Sequence, residues 1–297
     1  MEKYIIICIA GQSNAVGYDE SAVTLENLYC ADSNRIKQLG FFGEDNLKVI
    51  PLDYCAQSMQ KMKIHNRSQE THPGTKGIHL PLANLMLPYL PEDYGILILP
   101  VAFGGTGFTV GEDVPYDEVR KKPAVEDDFG QCGPFRWGDN TAYYRTLRDR
   151  IKYALDLNTD NLFGGILWCQ GEHDNLNAKD QIAGFGEMTD HLFREMNEMG
   201  YGTRVPKGVW DKDLWYNMET VSYWYTQGEC SLIWENYRKW NPHTYIEVPR
   251  TTPSNAVNGT GATAMIREAH FGNNSYSEII APLVLEKFLS NNMFQFL

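Results

Sequence analysis

Three stretches of the chain are apolar without interruption: Tyr4 to Ala10, Gly95 to Val101 and Phe163 to Cys169. None alternates with polar residues, so each predicts a parallel strand covered on both faces rather than a half-exposed one. A shorter run from Thr244 to Val248 predicts a fourth strand. Elsewhere apolar positions recur at helical spacing and predict helices over Gly77 to Leu90, Thr141 to Leu157, Asp180 to Met199 and Ser275 to Ser290. In the third of these, Ile182, Phe185, Met188, Leu192 and Met196 fall on one face. Strand and helix alternate, which predicts an α/β chain: a three-layer α/β/α sandwich with a central, mostly parallel sheet.

Two regions break this pattern. Asp19 to Leu90 contains a long polar stretch, and Gly111 to Gly138 is rich in glycine, proline and charge. Loops of that length in a compact domain are usually functional, so both are expected to wall a pocket. The block Val209 to Trp240 carries five tryptophans, at 210, 215, 224, 234 and 240. It is expected to pack in the core, because aromatic side chains bury so much area, although a sugar-stacking surface is the other reading.

Composition narrows the class. The chain has 297 residues, 43% of them apolar, which suits one domain over residues 1–297 with a sizeable core. No segment reaches the roughly 18 apolar residues of a membrane span, so no membrane insertion is expected. The formal net charge of −12 disfavours nucleic acid, which binds clustered lysine and arginine. Met1 to Ala10 has the length of a short signal peptide, but cleavage there would remove the first strand; the compartment stays open between cytoplasm and periplasm. The six cysteines, at 8, 30, 55, 132, 169 and 230, show no paired spacing and read as reduced thiols in a reducing compartment, or as unpaired ones elsewhere. His65, His72 and His79 recur every seven residues but lack the close ligands zinc uses, so they are expected to be surface or loop histidines. No metal and no cofactor is expected.

The chemistry lies where the apolar runs stop. The first ends in Gly11-Gln-Ser-Asn14, which delivers Ser13 to the carboxyl edge of the sheet, where open α/β folds bind ligands. A helix beginning there would aim backbone N–H groups at an anion. The second run ends in Gly104-Gly-Thr-Gly-Phe-Thr109, the third in Gln170-Gly-Glu-His-Asp174, and His270 precedes the last helix. Ser13 is the candidate nucleophile, and His270 the base that removes its proton and later returns it to the leaving alcohol. Ser13 could also be a plain helix cap, Gly104 and Gly105 a plain turn, and Gln170 a satisfied loop amide. Glu172 and Asp174 read as carboxylates that order a loop.

These segments resemble the Ser-Gly-Asn-His hydrolase superfamily, in the carbohydrate O-acetylesterase branch where a glutamine replaces the block asparagine. Arg35-Ile-Lys-Gln-Leu39, Gly95-Ile-Leu-Ile-Leu-Pro100, Arg136-Trp-Gly-Asp-Asn-Thr141 and Gly165-Ile-Leu-Trp-Cys-Gln-Gly-Glu172 are similar to bacterial sialate O-acetylesterases. The resemblance runs with gaps from about Tyr4 to Phe288 and implies a flavodoxin-like sandwich. It implies a metal-independent serine esterase that removes the 9-O-acetyl group of N-acetylneuraminic acid, with a small-molecule or glycan substrate. It also implies an oxyanion hole formed by the N–H of Ser13, an N–H of Gly104 or Gly105, and the side-chain amide of Gln170.

The chain departs from the family at the third member of the triad. The usual aspartate position, three residues before the histidine, is Arg267, and the nearest acid is Glu268. Either Glu268 bonds the far nitrogen of His270, or the site is a Ser–His dyad oriented by a main-chain carbonyl. An anionic sugar acid needs an arginine fork for its carboxylate, and Arg136 is the candidate; it could equally be an arginine bonded to a core carbonyl or carboxylate. Esterases of other acetylated glycans, xylan or O-antigen, would use the same machinery, and a binding module that had lost catalysis stands as a third reading.

Overall fold

The computed structural model describes residues 2–19, 34–41, 43–52, 56, 75–109, 116–117, 122–123, 136–254, 267–272 and 274–295. Strand β1, Lys3–Gly11, is followed by the single-turn helix α1, Ser13–Val16. Next come β2, Ile36–Leu39, and β3, Val49–Pro51, then helix α2, His79–Met86, and strand β4, Tyr94–Ala102. A two-stranded pair, β5 at Tyr116–Asp117 and β6 at Lys122–Pro123, stands apart from the main sheet. Helix α3, Ala142–Asp156, strand β7, Leu162–Cys169, and helix α4, Ala178–Glu198, follow. The described chain ends with β8, Trp215–Asn217, α5, Cys230–Trp240, and α6, Ala281–Ser290, the last entered through a π-turn at Tyr276–Ile280.

Six strands form one sheet in the order β3-β2-β4-β1-β7-β8. Every pairing is parallel except β2 with β3. The isoleucine run of β1 explains its central place, since residues of a strand alternate between faces and both faces here are apolar. Ile6, Cys8 and Ala10 pack with Leu147 and Ile151 of α3, Phe185 and Met188 of α4, and Trp234 of α5. Ile5, Ile7 and Ile9 pack with Leu82 and Met86 of α2 and Val284 and Phe288 of α6. Helices therefore cover both faces, giving the α/β/α sandwich. Each fully buried Ile, Leu, Val, Met or Phe among these contributes roughly 1.5–3 kcal/mol.

Several expectations need correction. Thr244 to Val248 is not a strand; Ile246 makes one parallel bridge to Met218, extending the β8 edge by a single rung. His79 is fully buried rather than in a loop, because it shares the inward face of α2 with Leu82, Ala83 and Met86. His65 and His72 lie outside the described residues, as do Cys30, Cys55, Cys132 and most of the two polar stretches expected to wall a pocket. The tryptophans do pack inward: Trp210, Trp215 and Trp234 are buried, while Trp224 and Trp240 lean on the core. Among the described residues Cys8, Cys169 and Cys230 are free and buried. No helix among them is long and apolar enough to cross a membrane.

Candidate active site

Gly11 pairs with Ala102 on one side and Cys169 on the other, so β1, β4 and β7 end level with one another. Asn217 of β8 stands opposite Trp168, one residue below that line. The segments Gln12–Asn14, Phe103–Thr109, Gln170–Asp174 and Met218–Thr220 thus leave the sheet at one rim. Gly11 makes this possible. Its φ is +128°, and a Cβ there would lie 2.1 Å from the Cys169 carbonyl oxygen. The amide of Gln12 uses the close approach to donate to that same oxygen at 2.8 Å.

Ser13 opens α1 and is 9% exposed. The expectation of a helix N-terminus aimed at the site needs qualification, because four residues are too few to sum a useful macrodipole. What the turn offers is individual donors, the Ser13 N–H among them. The N–H groups of Ser13, Gly104 and Gly105 donate to no acceptor among the described residues.

The glycine-rich loop is held by Asp174, whose fully buried carboxylate accepts from the amides of Phe108 and Thr109 at 3.0 and 3.1 Å and from Thr109 Oγ1 at 2.7 Å. Gly107 allows that approach, since a Cβ would lie 2.5 Å from Asp174 Oδ1. Gln170 Nε2 also donates to Asp174, at 2.7 Å, while its Oε1 accepts from Gln181 Nε2 and Tyr237 Oη at 3.1 and 3.2 Å. One amide hydrogen of Gln170 is left without a partner among the described residues.

His270 reaches the rim through Asn14, the residue after Ser13. Asn14 Nδ2 donates to the Ala269 carbonyl and Asn14 Oδ1 accepts from the Phe271 amide, each at 3.3 Å. The residues on both sides of the histidine are thereby fastened to the neighbour of the serine. Tyr18 adds a second tie: its ring stacks on His270 with centroids 4.7 Å apart. Its hydroxyl lies 2.7 Å from the place a Gly104 Cβ would occupy, so the tyrosine spans the histidine and the glycine loop. Trp224 Nε1 donates to the Ala269 carbonyl at 3.0 Å. The structure therefore gathers Ser13, Gly104, Gly105, Gln170 and His270 at one edge of the sheet.

Burial pushes the His270 pKa down to about 4, so the imidazole is neutral at pH 7. No hydrogen bond joins Ser13 Oγ to the ring; contacts of this kind often tighten only when substrate arrives. Nδ1 of His270 is buried without a partner among the described residues. Glu268 is exposed and does not bond it, and no main-chain carbonyl does either. Arg136 is half-buried beside the glycine-rich loop, with Nη1 donating to the Phe108 carbonyl at 2.9 Å. Its Nε and Nη2 make no bond to a described residue. No group of three or more His, Cys, Asp or Glu among the described residues is arranged to hold a metal ion.

Sequence reasoning missed the parts played by Asn14 and Tyr18. Asn14 carried one available signal, since asparagine is a poor helix former and here sits inside a helical turn rather than before it.

No protein-family model matches the chain. The crystal structure of NanS superimposes with a TM-score of 0.73 at 26% identity, covering 97% of each chain. A protein from Arabidopsis thaliana shares the fold, with a TM-score of 0.60 at 14% identity over 98% of this chain and 99% of that one. A probable 9-O-acetyl-N-acetylneuraminic acid deacetylase from Escherichia coli strain K12 is 32% identical over 237 residues, which are 75% of this chain and 69% of the relative. With that identity over most of both chains, and a matching fold, the chain belongs to the sialate O-acetylesterase family of carboxylic ester hydrolases.

Proposed function

We propose that this protein hydrolyses the O-acetyl ester of sialic acid, 9-O-acetyl-N-acetylneuraminate, through a Ser13–His270 dyad and an acetyl-enzyme intermediate. The observation that carries the reading is the pair of bonds from Asn14 to Ala269 and Phe271, which ties the base to the nucleophile's neighbour. Ser13 Oγ attacks the acetyl carbonyl while neutral His270 takes its proton. The oxyanion accepts from the N–H groups of Ser13 and of Gly104 or Gly105, with the remaining amide hydrogen of Gln170 as a third donor. As the intermediate collapses, His270 returns the proton to the sugar oxygen and the alcohol leaves. Water then attacks the acetyl group with His270 again as base, and acetate departs as Ser13 regains its proton.

The dyad is preferred to a Ser–His–Glu triad because Glu268 faces solvent and the histidine Nδ1 is not bonded to it. Glu268→Ala is accordingly expected to hold kcat within about twofold, as exposed substitutions usually do. A loss of a hundredfold or more would restore Glu268 as the acid.

The substrate carboxylate is assigned to Arg136, whose tether to Phe108 leaves Nε and Nη2 free to form a fork. The test of the whole reading is acetate release from 9-O-acetyl-N-acetylneuraminate compared with that from 4-nitrophenyl acetate. Preference for the sugar ester is expected, and Arg136→Ala should reduce that preference by about 10- to 100-fold, the worth of a charged hydrogen bond. An unchanged ratio would remove Arg136 from the site; no turnover of the sugar ester by the wild type would remove the substrate.

A further inference from the structure

We infer that Asn14 is a positioning residue for His270 and that Glu172 is the anchor that holds Asn14 in place. The inference rests on the Ser13–His270 reading above.

A catalytic imidazole must be held at a fixed angle, and a carboxylate on its far nitrogen ordinarily does this. Here Nδ1 has no such partner. The orientation comes from the stacked Tyr18 ring and from the peptide units on either side, and Asn14 bonds both units, donating to the one before the ring and accepting from the one after it. A side-chain amide carries its donor and its acceptor on separate atoms, so Asn14 can serve both peptide units at once.

Asn14 could rotate out of this arrangement unless something fixed its two ends. Glu172 Oε1 accepts from Asn14 Nδ2 at 2.9 Å and from Thr220 Oγ1 at 2.6 Å, while Thr220 Oγ1 itself lies 3.2 Å from Asn14 Nδ2. These acceptors fix which end of the amide carries nitrogen. Tyr276 Oη donates to the Asn14 main-chain carbonyl at 3.0 Å and pins the backbone of the turn. Glu172 and Asn14 are 2% and 1% exposed, so water does not compete for these bonds. Glu172 Oε2 is buried without a partner, a costly arrangement to keep beneath a turn that needs only packing. The side chains of Glu172 and Asn14 thus link the segment after β7 and the segment after β1 to the peptide units that flank His270.

The experiment uses the full-length protein, with 4-nitrophenyl acetate so that the outcome does not depend on the sugar. Glu172→Ala should lower kcat by about 10²-fold with KM little changed, the scale of a catalytic group misplaced by about 1 Å. Glu172→Gln keeps an oxygen for both donors and should retain kcat within about threefold. Asn14→Asp keeps the acceptor for Phe271 but loses both donations, so it should fall as far as Glu172→Ala; it carries the test if Glu172→Ala does not fold. Combining Asn14→Asp with Glu172→Ala should cost no more than either alone, as for residues that act as one unit. Wild-type kcat in Glu172→Ala, an equal loss in Glu172→Gln, or multiplying losses in the double variant would each overturn the inference. Full activity in Ser13→Ala would instead overturn the reading beneath it.

Discussion

Ser13→Ala is expected to lower kcat by about 10⁴-fold or more, leaving only the turnover that binding and oxyanion donors supply. The hydroxyl makes no hydrogen bond to a described residue and the site is already 9% exposed, so removing one oxygen should leave the fold intact. KM should stay near the wild-type value, because the carboxylate and sugar contacts do not involve Oγ. Mass spectrometry after rapid quenching supplies a second measure: the wild type should carry an acetyl group on the peptide containing Ser13, and the alanine variant none. An alanine variant that retained a tenth of wild-type turnover would show that the nucleophile is water or another residue.

The sheet's centre was legible in the sequence because β1, β4 and β7 need to be apolar on both faces, and that demand writes itself as unbroken runs. The edges were not. β2, β3 and β8 are three or four residues long, and their membership of the sheet is decided by partners far away, Ile36 by Ile96 and Trp215 by Ile166. Helix α5 was hidden because Trp234 and Tyr237 of its buried face stand in a segment whose aromatic density masks any helical period.

At the site, the residues at strand ends could be read directly. Ser13, Gly104 and Gln170 each follow an apolar run, and topology brings those ends together. What could not be read was the connection between them. The partners of Asn14 lie 158, 206, 255, 257 and 262 positions away, and no local pattern encodes such distances. Tyr18 lies outside every element the sequence predicts, yet its ring stacks on His270. One expected acid lay beside the histidine in sequence, at Glu268, whereas the buried carboxylates Glu172 and Asp174 hold Asn14 and the glycine-rich loop.

The second large effect is expected at His270. His270→Ala should lower kcat by about 10⁴-fold, the upper range for a general base, and Ser13→Ala added to it should cost little more because the two act as a unit. The pH profile of the wild type then separates this site from an ordinary acid-assisted triad. Burial alone pushes the His270 pKa from 6.5 down to about 4; no charged neighbour contributes, and Tyr18 faces the ring with an aromatic surface. The neutral imidazole is the active form, so kcat/KM should be level through neutral pH and fall only as the pH drops through about 4. The same shift has a stability consequence. Between pH 6.5 and about 4 the unfolded chain binds a proton that the native ring refuses, so this contribution is present above pH 6.5 and is lost as the pH falls through that window. The urea midpoint of His270→Ala should therefore change less between pH 7 and pH 4.5 than that of the wild type. An acidic limb of kcat/KM centred between pH 6 and 7 would mean that the ring is solvated or paired with a carboxylate, and the buried, acid-free dyad would be overturned.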